Sequence, residues 1–501
     1  IGLPEREYYF KNDSATRNIR EKYKSYITRM LVMSGDDSAK AVKDASAVLA
    51  LETGLARASR KIEDLRDPYK NYNKMAVGDL SKMAATIDWN SFLSISGVKN
   101  LDTVIVGQPE FFEALNNALV TTPIEVWKTV LKFNLISDFA AMLPERFGVE
   151  AFNFNKLFSG AKERRPRWKR VVQSEENLMG EMLGQLYVKE FFSDSAKKRY
   201  DDMVEAIRDA LKNRIEQLTW MSDSTKQKAY IKLAAMKKKV GYPNKWKDFS
   251  AMDIGRESFV QNSINANTWW HNYEVNKLGK PVDRDEWAMT PQTYNAYYNP
   301  SNNEIVLPAG IFTVPGYRDE ELDDALVYGY AGASTIGHEI THGFDDEGRQ
   351  YDEKGNLKSW WTAKDEQEFT KRAKGMITQF NEYEPIKGYH INGKATLGEN
   401  IADLGGVLLG LDAFKKTKQY KEGKTISGYN PLQRYFLGYS LGWLGHISDE
   451  QLRNGLLSDV HSPGQFRVNG PFADVDEFYT AFNIKPTGKM YRADSLRVRI
   501  W

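Results

Sequence analysis

His338-Glu339-Ile340-Thr341-His342 sets two histidines four residues apart, with a glutamate beside the first. On an α-helix that spacing amounts to about 40° in azimuth and about 6 Å in rise, so both imidazoles can converge on one tetrahedral Zn2+. Glu339 then lies next to the metal, where it can take a proton from metal-bound water. The plainer alternative is a pair of helical histidines with no metal. Working outward, a helix is predicted from near Asp323 through Ala331 to His342, ended by Gly343 and Asp345-Asp346-Glu347-Gly348.

A catalytic zinc site needs a third protein ligand and an open position. The chain has no cysteine and only six histidines. Disulfide scaffolds, thiolate zinc sites and cysteine nucleophiles are therefore excluded, and the third ligand must be another histidine or a carboxylate. Glu399, in Gly398-Glu399-Asn400-Ile401-Ala402-Asp403, is the best candidate. Glu399 and Asp403 share a helix face, so one can ligate while the other orients a ligating histidine. Ile401, Leu404, Val407 and Leu408 place this helix in a core, where an unpartnered carboxylate is costly. By spacing alone, a solvated acidic face explains the pair equally well.

The 501 residues predict two or three domains. Lys and Arg number 69 against 67 Asp and Glu, a net of +2, and a polyanion binder would show a larger basic excess. No apolar run is long enough to span a membrane. The first half reads as successive helices. Residues 14–34 place Ile19, Tyr23, Tyr26, Ile27, Met30 and Leu31 at helical spacing, between an Asp13-Ser14 cap and Gly35. Residues 37–60 are again helical, and a helix is predicted from Asp223 through Lys239, ended by Gly241-Tyr242-Pro243. Strand signals are sparse before residue 285. Thr293–Tyr298 and Glu304–Leu307 are extended candidates on either side of the turn cluster 299–303. A soft boundary falls near residue 255, with helical sequence before it and mixed, chemistry-bearing sequence after it.

His338–Gly343 is followed by Phe344-Asp345-Asp346 and then by Leu397-Gly398-Glu399-Asn400-Ile401-Ala402-Asp403. Asn295-Ala296-Tyr297-Tyr298 and Ile305–Ile311 precede it, Trp360-Trp361 lies between, and His461-Ser462-Pro463-Gly464-Gln465-Phe466-Arg467 follows. Arg66-Asp67-Pro68, Tyr72–Met75 and Gly241-Tyr242-Pro243 extend the pattern into the helical half. This ordered set resembles the neprilysin and endothelin-converting-enzyme family of zinc metallopeptidases, in the manner of a bacterial oligopeptidase member.

The resemblance implies a mainly α, two-lobed zincin-type fold. A helical lobe, residues 1–255 here, closes over a cavity, and a catalytic domain with a small β-sheet spans 256–501. It implies one Zn2+ held by His338, His342 and Glu399, with Glu339 as general base. Asp403 and Asp345 support the ligating histidines from behind, and His461 stabilises the oxyanion. Asn295 and Ala296 pair with the peptide backbone, Arg467 donates to a substrate carbonyl, and Ile311 and Trp443 line the specificity pocket. The implied activity is endopeptidase cleavage of oligopeptides on the amino side of hydrophobic residues by Glu-activated zinc-bound water. Members of the family carry more than a hundred residues before the segment matching Ile1, so a missing N-terminal segment of the same protein is an expected partner.

Beside that reading stands a non-catalytic peptide-binding or adhesin protein on a metallopeptidase scaffold. His271, His390 and His446 lack partners at ligand spacing and read as structural or surface residues. The basic run Lys162–Arg170 reads as a solvated face, not a nucleic-acid site. For localisation, the cell envelope or secretion is slightly favoured over the cytoplasm.

Overall fold

Asp13 begins the first long helix, Ser14–Met33, by accepting the Thr16 amide at 2.9 Å. The predicted stripe Tyr23, Tyr26, Ile27, Met30 and Leu31 is buried. A second helix, Ser38–Ala58, is capped in the same way by Asp37. Helices Ile124–Asp138 and Glu145–Ser159 bring Phe133 and Phe154 onto this stripe, where Tyr26 stacks on Phe154 at 4.7 Å. Glu52 is buried here and accepts hydrogen bonds from Tyr9 (2.7 Å) and Tyr23 (3.0 Å), which offset its desolvation.

The computed structural model describes residues 1–501. It is mostly helical, and no helix is long and apolar enough to cross a membrane. The chain forms two units. The first joins Ile1–Ser174, Asp248–Val282 and Ser448–Ser458, and the second joins Glu175–Lys247, Asp283–Ile447 and Asp459–Trp501. Each unit takes segments from both sides of residue 255. The first unit holds a strand pair absent from the sequence reading, β1 (Asn73–Ala76) antiparallel to β2 (Thr103–Val106). Strands of four half-exposed residues leave no periodicity long enough to detect.

The second unit is built around the helix Leu397–Lys415, buried on nearly every side. Asp324–Val327 leads into a π-helix, Tyr328–Gly337, and then into the α-helical turn His338–His342. The predicted helix to His342 is thus present, but its middle is wound more widely than α. Glycine permits the close approach of the two helices: a Cβ on Gly337 would sit 2.9 Å from the Cα of Gly406.

A three-stranded sheet, order β3-β5-β4, flanks these helices. Strand β3 (Lys237–Gly241) runs parallel to β5 (Glu304–Pro308), and β4 (Tyr297–Asn299) pairs antiparallel to β5. This corrects the helix predicted through Lys239. The helix ends at Ala235, and the lysine-rich tail becomes a strand because β5 offers it a parallel partner. Buried Lys239 and Glu304 form an ion pair across that pairing at 2.9 Å. The extended candidate at 293–298 contracts to Tyr297–Asn299, whereas Glu304–Leu307 lies within β5.

Candidate active site

His338 and His342 project from one helical turn toward Glu399, in the first turn of the facing helix. The ligand atoms of these three residues lie within 4.8 Å of one another. Nε2 of His338 is 3.0 Å from Nε2 of His342 and 3.2 Å from Oε2 of Glu399, and His342 Nε2 is 3.6 Å from Oε1 of Glu399. Atoms bound tetrahedrally to one zinc ion are about 3.3 Å apart. Two imidazoles and one carboxylate at these separations fit zinc in both ligand type and spacing.

Behind the cluster, Asp403 Oδ1 meets His338 Nδ1 at 2.9 Å and Asp345 Oδ2 meets His342 Nδ1 at 2.7 Å. These partners leave each Nε2 directed at the cluster. Burial opposes ionisation of Glu399, but the charge of His342 and bonds from His338 and His461 outweigh it and hold its pKa well below the usual range. Burial likewise disfavours a charged His338, yet Asp403 and Glu399 push its pKa up to about 9. The negative charge that raises the pKa of His338 would also favour a dication held by His338, His342 and Glu399.

Glu339 lies beside the pair, 7% exposed, with its pKa raised by burial. His461 approaches from the other side, its Nε2 3.2 Å from Glu399 Oε2 and its Nδ1 2.7 Å from Asp459 Oδ1. Asp459 was missed in the sequence; its only signal is a carboxylate two residues before a histidine. The His461 segment is tied to the Glu399 helix by Ser462, which donates to Asn400 Oδ1 at 2.7 Å.

Arg467 is buried and donates twice to Asp403. Its guanidinium stacks on Trp443 at 4.1 Å. Asn295 is exposed and Ala296 buried, immediately before edge strand β4. Ile311 is half-buried in the turn Ala309–Phe312 that follows β5. His271, His390 and His446 are exposed and stand outside the cluster.

Sequence models described as peptidase family M13 match residues 1–243 and 295–498. The chain belongs to peptidase family M13. Among its relatives, a Locusta migratoria endothelin-converting enzyme homolog is 31% identical over 98% of this chain and 70% of its own length. Human endothelin-converting enzyme 1 is 31% identical over 98% of this chain and 65% of its own length. Against these M13 proteins the chain thus spans about two thirds of the relative. Among solved structures, the zinc metalloprotease Zmp1 of Mycobacterium tuberculosis, in complex with inhibitor, superposes with a TM-score of 0.94 at 38% identity, covering 100% of this chain and 77% of that one. PepO from Lactobacillus rhamnosis gives 0.91 at 27% identity, covering 100% and 78%. The M13 assignment agrees with a mainly helical chain holding small sheets and a His-His-Glu cluster.

Proposed function

We propose that this chain is a zinc-dependent endopeptidase that cleaves oligopeptides at internal bonds, on the amino side of hydrophobic residues. The observation that carries the proposal is the convergence of His338, His342 and Glu399 beside a buried glutamate, Glu339. When bound, zinc supplies a Lewis acid that acidifies water and polarises the scissile carbonyl. Glu339 takes the proton from the attacking water and passes it to the leaving amine. A carboxylate whose pKa is raised by burial suits both transfers.

His461 donates to the oxyanion that develops on the carbonyl. Its pKa is pushed up to about 9: burial lowers it, and Asp459 and Glu399 more than reverse that. The imidazole is therefore a cation at neutral pH, suited to stabilising negative charge. Arg467 Nε and Nη2 are occupied by Asp403, leaving Nη1 to donate to a substrate carbonyl.

An extended peptide adds to the free edge of β4, entering along Asn295 and Ala296. Ile311 and Trp443 receive the hydrophobic side chain that follows the cleaved bond. The test is Glu339→Gln. Zinc content should be unchanged while cleavage of a mixed peptide library, followed by mass spectrometry, falls by about three orders of magnitude or more. Retained cleavage would end this mechanism.

A further inference from the structure

Gly348 is gripped on both sides of its peptide plane. Its N–H donates to Asp345 Oδ1 at 2.7 Å, and its carbonyl accepts from Lys232 Nζ at 2.6 Å. Lys232 lies on the helix Asp223–Ala235, only 1% exposed, and also donates to the Tyr351 carbonyl at 2.7 Å. The rings of Phe344, Trp360 and Tyr298 surround the amine, with centroids at 5.7, 5.8 and 6.0 Å. Trp360 Nε1 donates to the same Tyr351 carbonyl at 2.9 Å. The amine forms no direct ion pair; Asp345, Asp352 and Glu353 offset its burial only in part, from a distance.

An apolar side chain would fill this space without that desolvation cost, so the amine is retained for its donors. Burial pushes its pKa down to about 7, and either protonation state offers the two N–H groups the carbonyls use. The carbonyls belong to the turn that closes on Asp345. Asp345 Oδ1 takes the amides of Glu347 (2.9 Å) and Gly348, and Oδ2 meets His342 Nδ1. There is little slack, because a Cβ on Gly348 would overlap the His342 carbonyl.

The backbone of Lys232 is anchored too. Its carbonyl accepts from Asn303 Nδ2 at 3.0 Å, and Asn303 Oδ1 accepts from Tyr298 in β4 at 3.1 Å. Asn303 is fully buried at φ 45°, an unfavourable conformation held in place by these bonds.

We propose that Lys232 is a positioning residue for the metal centre: by fixing the 345–351 turn it aims the Asp345 carboxylate at His342. This inference rests on the zinc reading given above. The experiment is chelator competition for Zn2+ on the full chain, with wild type, Lys232→Met, Asp345→Asn and the double variant. Wild type should bind one ion. Lys232→Met and Asp345→Asn should each bind about 10- to 100-fold more weakly, and the double variant no more weakly than Asp345→Asn alone.

Should Lys232→Met fail to fold, Lys232→Gln keeps one neutral donor and should weaken binding to a smaller extent. Wild-type zinc affinity in a folded Lys232 variant would overturn the proposal, even with a lowered melting temperature, because that pattern marks a purely structural residue. Losses that multiply in the double variant would overturn it too. A wild-type chain that binds no zinc would instead overturn the site reading on which the proposal stands.

Discussion

Arg467 clamps Asp403 through two bonds of 2.8 Å, one from Nε and one from Nη2, while the same carboxylate receives His338 at 2.9 Å. Asp403 is 1% exposed, and burial alone would raise its pKa; Arg467 and His338 together hold it below the usual range. The arginine thus keeps ionised the carboxylate that holds His338 Nδ1, while stacking on Trp443.

Arg467→Lys tests that arrangement. Lysine supplies charge at one point and cannot reproduce the two-point geometry or the stacking. The expected outcome is a fall of about 10- to 100-fold in kcat/KM together with weaker zinc retention. A lysine variant with native kcat/KM and native zinc content would show that charge alone suffices.

The alkaline side of the pH profile should depend on Asp459. Asp459 and Glu399 push the pKa of His461 up to about 9, with Asp459 the foremost of the two. If the imidazolium stabilises the oxyanion, activity falls as pH rises through that value. Asp459→Asn removes a group that raises the pKa, so the alkaline limb of kcat/KM should move to lower pH. A limb that stays in place belongs to another group.

A third test concerns stability. Asp474 is 2% exposed; its Oδ1 accepts the Val498 amide at 2.8 Å, and its Oδ2 has no hydrogen-bond donor. Burial raises its pKa from 3.8 to about 6. Between those values the folded chain holds a proton that the unfolded chain has lost, so stability falls as pH rises through that window. Above pH 6 the full cost is present, at most about 3 kcal/mol for a shift of about two units. Asp474→Asn should therefore raise the apparent melting temperature at pH 7.5 by about 2 °C or more, with a smaller difference at pH 4.5. An unchanged or lowered value at pH 7.5 would refute this account.

The His338, His342 and Glu399 cluster was legible from helical periodicity only together with the ordered motifs that resemble the family. Four-residue spacing puts His338 with His342, and Glu399 with Asp403, on common faces, and the absence of cysteine narrows the donors. What stayed hidden depends on partners remote in sequence. Lys237–Gly241 has the composition of a helix tail and becomes a strand only because β5, some sixty residues later, pairs with it. Asp403 is as far from Arg467, and the site of Lys232 is assembled by rings and carbonyls more than a hundred residues away, apart from Tyr298. The helix leading to His338 was readable as a helix, but its winding was not, because apolar small residues satisfy α and π forms alike.

That winding has a consequence for chain length. Tyr328–Gly337 takes a wider turn than an α-helix just before His338. Deleting one residue there while the rest kept its winding would swing everything downstream through about 100°. Both imidazoles would leave the side that meets Glu399, although every donor would survive in the sequence. An intact motif is therefore no guarantee of metal capture: the tally of residues ahead of it acts as a hidden ruler.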